Sequence, residues 1–329
     1  MNTVLIPQDI AEEGKAYLRS RGYTIRMGSG TDKASLLKDV GDVDAILFRN
    51  EAYDEEILQA AKNVKVLSRH GVGVDKIDIK KAQELGIWVT NGPYSNSNTV
   101  AEMALAFMLT LARRLVAFNK AAHDADFDVR SRMIGMGIEG KTLALLGMGK
   151  IGRLVAKKAY YGFSMHVVAY DPFTKDEDFP PYVGRLSSSD EAFVQGDFVS
   201  VHIPANETNN KSITIKQFAL MKPSAYFLNL ARGELLVEED LVQALREGLL
   251  AGAALDVLDH EPFEKGNALL SFDNVLLTPH VASHTSECLA TMALHAAQGI
   301  DEVLSGKKPS WPVNNPVNPR MHITKKENV

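Results

Sequence analysis

The chain has 329 residues, of which 45% are apolar and 23% charged, and its net charge is −5. Length and composition together predict a globular protein of two domains, each able to bury a core. The weakly negative charge and the lack of a long basic run argue against nucleic acid as a partner. One cysteine, Cys288, excludes an internal disulfide and suits a reducing compartment. The N-terminus runs into strand-like sequence without a signal-peptide pattern. The most apolar stretch, 100–112, is too short for a bilayer and carries Glu102. A cytoplasmic protein with no membrane association is expected.

In chain order, short apolar runs at 3–6, 23–27, 45–48, 65–68 and 87–90 alternate with helix-like segments at 9–21, 32–39, 54–61 and 77–85. This alternation predicts an α/β fold with a doubly wound parallel sheet. A turn-rich join, Asn91-Gly-Pro-Tyr-Ser-Asn-Ser-Asn98, precedes Thr99-Val-Ala-Glu102, which reads as a capping box opening one long helix over 98–121. A second α/β set has strands at 142–146, 166–170, 198–203, 226–230, 253–257 and 275–277. A last helix is expected over 283–306, and Pro309, Pro312, Pro316 and Pro319 then enforce an irregular tail.

The most informative stretch begins at residue 142. A strand-like run ends in Gly147-x-Gly149-x-x-Gly152, helical spacing follows, and a second apolar run closes on Asp171, 19 residues after Gly152. Gly147 permits the tight turn, Gly149 lets backbone approach a pyrophosphate, and Gly152 lets helix pack on strand. The helix N-terminus, with Lys150 and Ile151 in its first turn, offers N–H groups to phosphates. Asp171 can accept the ribose hydroxyls and would repel a 2′-phosphate, which points to NAD rather than NADP. Gly135-Met-Gly137 is a similar string without a following helix, and we read it as a loop.

Three polar residues stand where strands of the second set end, which is where open α/β sheets hold ligands. Arg232 follows Asn229-Leu-Ala231, Glu261 precedes Pro262, and His280 follows Thr278-Pro279. An Arg can grip a carboxylate through two parallel bonds. A His beside a carboxylate can exchange a proton, the carboxylate favouring its protonated form. Spacing alone leaves open whether these are an acid–base site or ordinary loop charges. His280, His284 and Cys288 lie four apart, but Pro279 works against a helix through them, so no metal site is expected.

Several motifs in order carry a resemblance: Gly140-Lys-Thr-Leu143, Leu146-Gly-Met-Gly-Lys-Ile-Gly152, Tyr170-Asp-Pro172, Asn229-Leu-Ala-Arg-Gly233, Ala254-Leu-Asp-Val257, Glu261-Pro262 and Thr278-Pro-His280. With them the chain resembles the D-isomer-specific 2-hydroxyacid dehydrogenase family over nearly its full length. The resemblance implies a Rossmann dinucleotide-binding domain, 99–283, inserted into a flavodoxin-like substrate domain made of 1–98 and 284–329. It also implies NAD as cofactor and a homodimer formed through the NAD-binding domain. Arg232 would bind the substrate carboxylate and keto oxygen, His280 would be the acid–base, and Glu261 would tune it. Cofactor contacts are expected from His202, Pro204, Ala231 and Asp256, the last facing the nicotinamide carboxamide. Substrate contacts are expected from backbone amides at Val72 and Gly73 in His70-Gly-Val-Gly-Val-Asp75.

Two departures from the family pattern stand out: Ala205-Asn206 after Pro204, which leaves the role of Asn206 open, and Ala282-Ser-His284 after His280. The segments at 68–75 and 91–97 resemble the phosphoglycerate and hydroxypyruvate branch. A phosphorylated substrate would need cations, which Arg49 and the pair Arg69-His70 could supply, although solvated loop charges explain them equally well. The chain length leaves no room for the regulatory domain of many phosphoglycerate dehydrogenases. The expected function is NAD-dependent interconversion of a D-2-hydroxy acid and its 2-keto acid, with a 3-phosphoglycerate or hydroxypyruvate/glyoxylate type of substrate. The alternatives are a reductase of bulkier 2-keto acids such as phenylpyruvate and a non-enzymatic, corepressor-like NAD sensor.

Overall fold

Short, mostly apolar runs of three to five residues become strands, and the amphipathic stretches between them become helices, in the computed structural model, which describes residues 2–320. Residues up to Asn96 together with those from His284 onward form one unit, and Ser97–Ser283 forms a second.

In the first unit, β1 (Thr3–Ile6), β2 (Thr24–Met27), β3 (Ala45–Phe48), β4 (Val66–Arg69) and β5 (Trp88–Thr90) form a parallel sheet in the order β2-β1-β3-β4-β5. This is the flavodoxin-like order. Helices α1 (Glu12–Ser20) and α12 (Ser286–Leu304) cover one face, where Ala293, Ala296 and Ile300 pack on Val4, Leu47 and Val66. Helices α2 (Lys33–Asp39), α3 (Glu55–Ala60) and α4 (Ile79–Glu84) cover the other, burying Leu36, Ile57, Leu58 and Ala82 against Leu5, Ile46 and Leu67. Each fully buried Leu or Ile contributes roughly 1.5–3 kcal/mol relative to exposure. Asp32, Asp54 and Asp78 cap α2, α3 and α4 by accepting backbone N–H bonds.

The proline-rich tail runs along β5. Asn314, buried, accepts from the Val89 N–H at 2.8 Å and donates to the Ile87 carbonyl at 2.9 Å. Its amide group thus stands in for a neighbouring strand and keeps this edge from pairing elsewhere. Arg320 donates to the carbonyls of Leu85, Ala61 and Val64, beyond the ends of α3 and α4.

The second unit begins with α5 (Ser97–Ala112), α6 (Leu115–His123) and α7 (Val129–Arg132). The strands are β6 (Thr142–Leu146), β7 (His166–Tyr170), β8 (Val183–Arg185), β9 (Phe198–Val201), β10 (Tyr226–Asn229), β11 (Gly252–Leu255) and β12 (Val275–Leu277). All are parallel, in the order β12-β11-β10-β9-β6-β7-β8. The order reverses direction between β6 and β9, the switch point of a doubly wound Rossmann sheet. Helices α5 and α8 (Lys150–Phe163) bury one face of the sheet, and α9 (Ser189–Gln195), α10 (Ile215–Phe218) and α11 (Glu238–Arg246) bury the other.

Two expectations need correction. The helix expected over 98–121 is two helices, broken where Arg114 takes a left-handed conformation, φ 49°. Apolar spacing continues across the break, so periodicity cannot reveal it. Nor does Thr99 open the helix, which starts at Ser97; Glu102 accepts instead from the Asn98 amide at 2.6 Å. Strand β8 and helices α7, α9, α10 and α11 lie outside the expected elements, and all but α11 have seven residues or fewer, too short for a periodic signal.

Candidate active site

The glycine turn between β6 and α8 is built by close approach. Gly147 has φ 101°, and a Cβ there would meet the His202 carbonyl oxygen at 2.6 Å. A Cβ on Gly152 would meet the Gly147 oxygen at 2.2 Å, so only glycine lets α8 start this near the strand. At Gly149 a Cβ would project into open space. Gly149 is also the N-cap of α8, with no side chain capping it; Lys150 and Ile151 form the first turn. The turn therefore has the shape and dipole for a pyrophosphate.

Asp171, at the end of β7, ties this turn in place. Its Oδ2 accepts from the Met148 N–H at 2.8 Å, and its Oδ1 accepts from Phe173 and Thr174. Burial would raise its pKa, but these hydrogen bonds outweigh it and hold the carboxyl below the usual range. A carboxylate has roughly four acceptor positions, so capacity remains for a ribose hydroxyl. Below the turn, His202 bonds Ser200 Oγ through Nε2 at 2.9 Å, while its Nδ1 is sealed from solvent with no partner among the described residues. Desolvation pulls its pKa down to about 4, leaving a neutral ring under the phosphate turn. Pro204 accepts from Asn209 through its carbonyl. Asn206, whose role the sequence leaves open, spends its Oδ1 on the N–H groups of Thr208 and Asn209. These residues fit a dinucleotide.

Arg232, Glu261 and His280 follow three adjacent strands, β10, β11 and β12. Glu261 Oε2 lies 2.8 Å from His280 Nδ1, and Glu261 Oε1 accepts from the Leu258 N–H at 3.1 Å. No hydrogen bond engages His280 Nε2 among the described residues. This ring is held at one nitrogen and available at the other, the arrangement of a general acid–base. Arg232 is presented by a turn that Asn229 shapes. The buried amide accepts from the Ala231 N–H at 3.0 Å and donates to the Arg232 carbonyl at 2.8 Å. Next to it, a Cβ on Gly233 would fall 2.0 Å from the Leu258 carbonyl carbon, so glycine is what admits the loop carrying Glu261.

Asp256 organises the other half. It is 1% exposed, and its Oδ1 accepts from Thr278 Oγ1 at 2.5 Å and from the Val281 N–H at 2.8 Å. Oδ2 accepts from the Ala282 N–H at 2.8 Å, and the Asp256 carbonyl accepts from the His280 N–H. Burial pushes this carboxyl upward in pKa despite those bonds. In the structure, then, the side chain expected at the carboxamide clasps the loop that carries His280, whose φ is 54°. A left-handed non-glycine residue costs energy that such surroundings must offset.

In the first unit, the 70–74 loop is pinned by its carbonyls. Arg69 donates to the carbonyls of Gly73 (2.8 Å) and His70 (2.7 Å), and Asn91 donates to that of Val72 (2.8 Å). The N–H groups of Val72 and Gly73 meet no acceptor among the described residues. Amides left this way make an anion-binding concavity. Arg69 is thus spent inside the loop and also reaches Asn50 Oδ1 at 3.0 Å. His70 corrects an expectation. It is buried, its Nε2 faces the Leu289 carbonyl at 3.2 Å, and desolvation followed by the charges of Arg49 and Arg69 lowers its pKa to about 4. It is neutral at pH 7 and supplies no positive charge. Arg49, partly exposed, donates to the Asp9 carbonyl at 3.2 Å. Asn229, Thr278 and Asn91 act as braces that the sequence reading does not single out, and Arg69, read there as a possible cation for a phosphate, is a fourth. Their signal is a polar residue at or just past the end of an apolar strand.

Because His70 titrates near 6.5 when unfolded and about 4 when folded, the unfolded state binds more protons between those values. Stability should therefore fall as pH drops from about 6.5 to about 4, by up to about 3 kcal/mol from this residue. His70→Gln should flatten the pH dependence of the denaturant midpoint in that window. An unchanged slope would contradict the assignment.

Residues 105–282 match the NAD-binding domain of the D-isomer specific 2-hydroxyacid dehydrogenases. A D-3-phosphoglycerate dehydrogenase of Archaeoglobus fulgidus is 35% identical over 96% of this chain, which spans 59% of that protein's length. A glyoxylate reductase of Thermococcus onnurineus is 34% identical over 95% of this chain and 96% of its own. Among solved structures, the TT0316 protein of Thermus thermophilus superposes with a TM-score of 0.89 at 35% identity, covering 95% of this chain and all of that one. A D-2-hydroxyisocaproate dehydrogenase superposes with a TM-score of 0.85 at 25% identity, covering 96% of this chain and all of its own. With the phosphate turn, the acidic strand end and the Arg, Glu and His loops in place, the chain belongs to the D-isomer specific 2-hydroxyacid dehydrogenase family.

Proposed function

We propose that the protein is an NAD-dependent dehydrogenase interconverting a D-2-hydroxy acid and its 2-keto acid. The observation that carries this reading is the 2.8 Å pairing of Glu261 with His280 Nδ1, which leaves Nε2 for a substrate oxygen. Bound at the glycine turn, the nicotinamide cofactor supplies or accepts the hydride. Arg232 grips the substrate carboxylate and keto oxygen. In the reducing direction protonated His280 delivers the Nε2 proton to the keto oxygen; in the oxidising direction it takes the hydroxyl proton. Glu261 orients the ring through Nδ1–H and stabilises the imidazolium. The carboxylate of Asp171 favours NAD by repelling a 2′-phosphate.

Of the three cations available for a phosphate, Arg69 is committed to its loop and His70 is neutral, which leaves Arg49. This balance favours hydroxypyruvate or glyoxylate over a phosphorylated acid. A homodimer is supported by Leu115, Val116, Phe127 and Ile134, large apolar side chains exposed on α6 and on the segments flanking α7 in the NAD-binding unit. An apolar surface of this kind fits a second copy of the chain. Sedimentation should return twice the 36.0 kDa chain mass; a monomer at micromolar concentration would contradict it. The cytoplasm suits the single thiol, Cys288, which is buried and donates to the Ser95 carbonyl.

NADH oxidation against hydroxypyruvate, glyoxylate, phosphohydroxypyruvate, pyruvate and phenylpyruvate, repeated with NADPH, tests the reading. Turnover is expected with NADH and fastest with hydroxypyruvate or glyoxylate, and His280→Ala should lower kcat by roughly 10²–10⁴-fold. Binding of NADH without turnover of any of these would point instead to a sensor.

A further inference from the structure

The loop bearing Glu261 is held by groups that lie outside the acid–base pair. Glu238, the first residue of α11, accepts through Oε1 from the Asp259 N–H at 2.6 Å and through Oε2 from the Asn267 amide at 3.2 Å. One carboxylate thus grips both ends of the segment in which Glu261 lies. On the other side of Asp259, Lys211 Nζ pairs with Oδ2 at 2.5 Å and donates to the Leu236 carbonyl at 3.2 Å. Lys211 has φ 53°, and its own N–H is fixed to the Glu234 carbonyl. These ties begin in the loop after β9 and at the start of α11 and end on the loop after β11. The contact of Gly233 with Leu258 and Asp259 backbone closes the same corner.

The geometry points to Glu238 as a positioning residue for catalysis, holding the 258–267 loop so that Glu261 stays within hydrogen-bond reach of His280. The inference rests on the reading of Glu261 and His280 given above. A first-turn carboxylate also favours its helix through the dipole, and that role alone would change stability without touching the chemistry. Loss of the grip lets Glu261 drift, and a displacement of about 1 Å at such a pair can cost up to about 10²-fold in rate.

The test compares Glu238→Ala and Glu238→Gln with Glu261→Gln as reference, reading kcat, KM and the pH–rate profile of keto-acid reduction, with thermal midpoints alongside. Glu238→Ala is expected to lower kcat by about 10-fold with little change in KM. Its alkaline limb should move to lower pH, in the direction that Glu261→Gln moves it further. Glu238→Gln keeps an acceptor for the Asp259 N–H and should restore most of both. Should Glu238→Ala fail to fold, Asp259→Asn removes the Lys211 pair and should show the same shift at smaller amplitude. A lower thermal midpoint with unchanged kcat and pH limb in the Glu238 variants, while Glu261→Gln shifts the limb, overturns the inference alone. An unmoved limb in Glu261→Gln itself overturns the reading on which it rests.

Discussion

The hydrogen bond between Glu261 and His280 Nδ1 constrains much of what surrounds it in the second unit. An imidazole can exchange protons at Nε2 only if its ring stays put, and a carboxylate at Nδ1 fixes both tautomer and orientation. Neither partner sits on regular structure, because both belong to loops at the carboxyl ends of parallel strands. Loops place side chains loosely unless their backbone groups are bound elsewhere. Here they are bound: Asp256 holds the His280 loop through three side-chain acceptances, and Leu258, Glu238 and Lys211 hold the Glu261 loop.

The same economy recurs at the other polar turns. Carboxylates and amides at strand ends face loop backbone and set its shape: Asp171 for the glycine turn, Asn229 for the Arg232 turn, and Asn91 with Arg69 for the 70–74 loop. Each of these side chains is satisfied by the backbone it orders, which offsets its desolvation. Among the described residues, the loops of the second unit leave open space at Gly149 and an unengaged Nε2 on His280, and the 70–74 loop of the first unit leaves the amides of Val72 and Gly73 without an acceptor.

Apart from the exposed edge strand β8, the strands were legible in the sequence because parallel strands buried on both faces read as continuous apolar runs. The glycine spacing and the acid at 171 were legible because they form a fixed pattern, in which the turn admits no Cβ at Gly147 or Gly152. The break at Arg114 was hidden, since apolar spacing continues through it and no Gly or Pro marks it. The partners of loop residues were hidden for a related reason. Asp256, expected at the carboxamide, and Arg69, open between a phosphate contact and a solvated loop charge, carry the same charge whether they meet a ligand or a neighbouring backbone. Burial decides between these uses, and burial depends on tertiary structure. His70 shows this most clearly, because its chemistry allows a cation and its surroundings do not.

A double-mutant cycle on Glu261 and His280 tests the central claim most directly, reading kcat/KM for Glu261→Gln, His280→Ala and the pair together. If Glu261 acts only through His280, the double variant should be no slower than His280→Ala alone, within about two-fold. Losses that multiply would show two independent contributions and contradict the account.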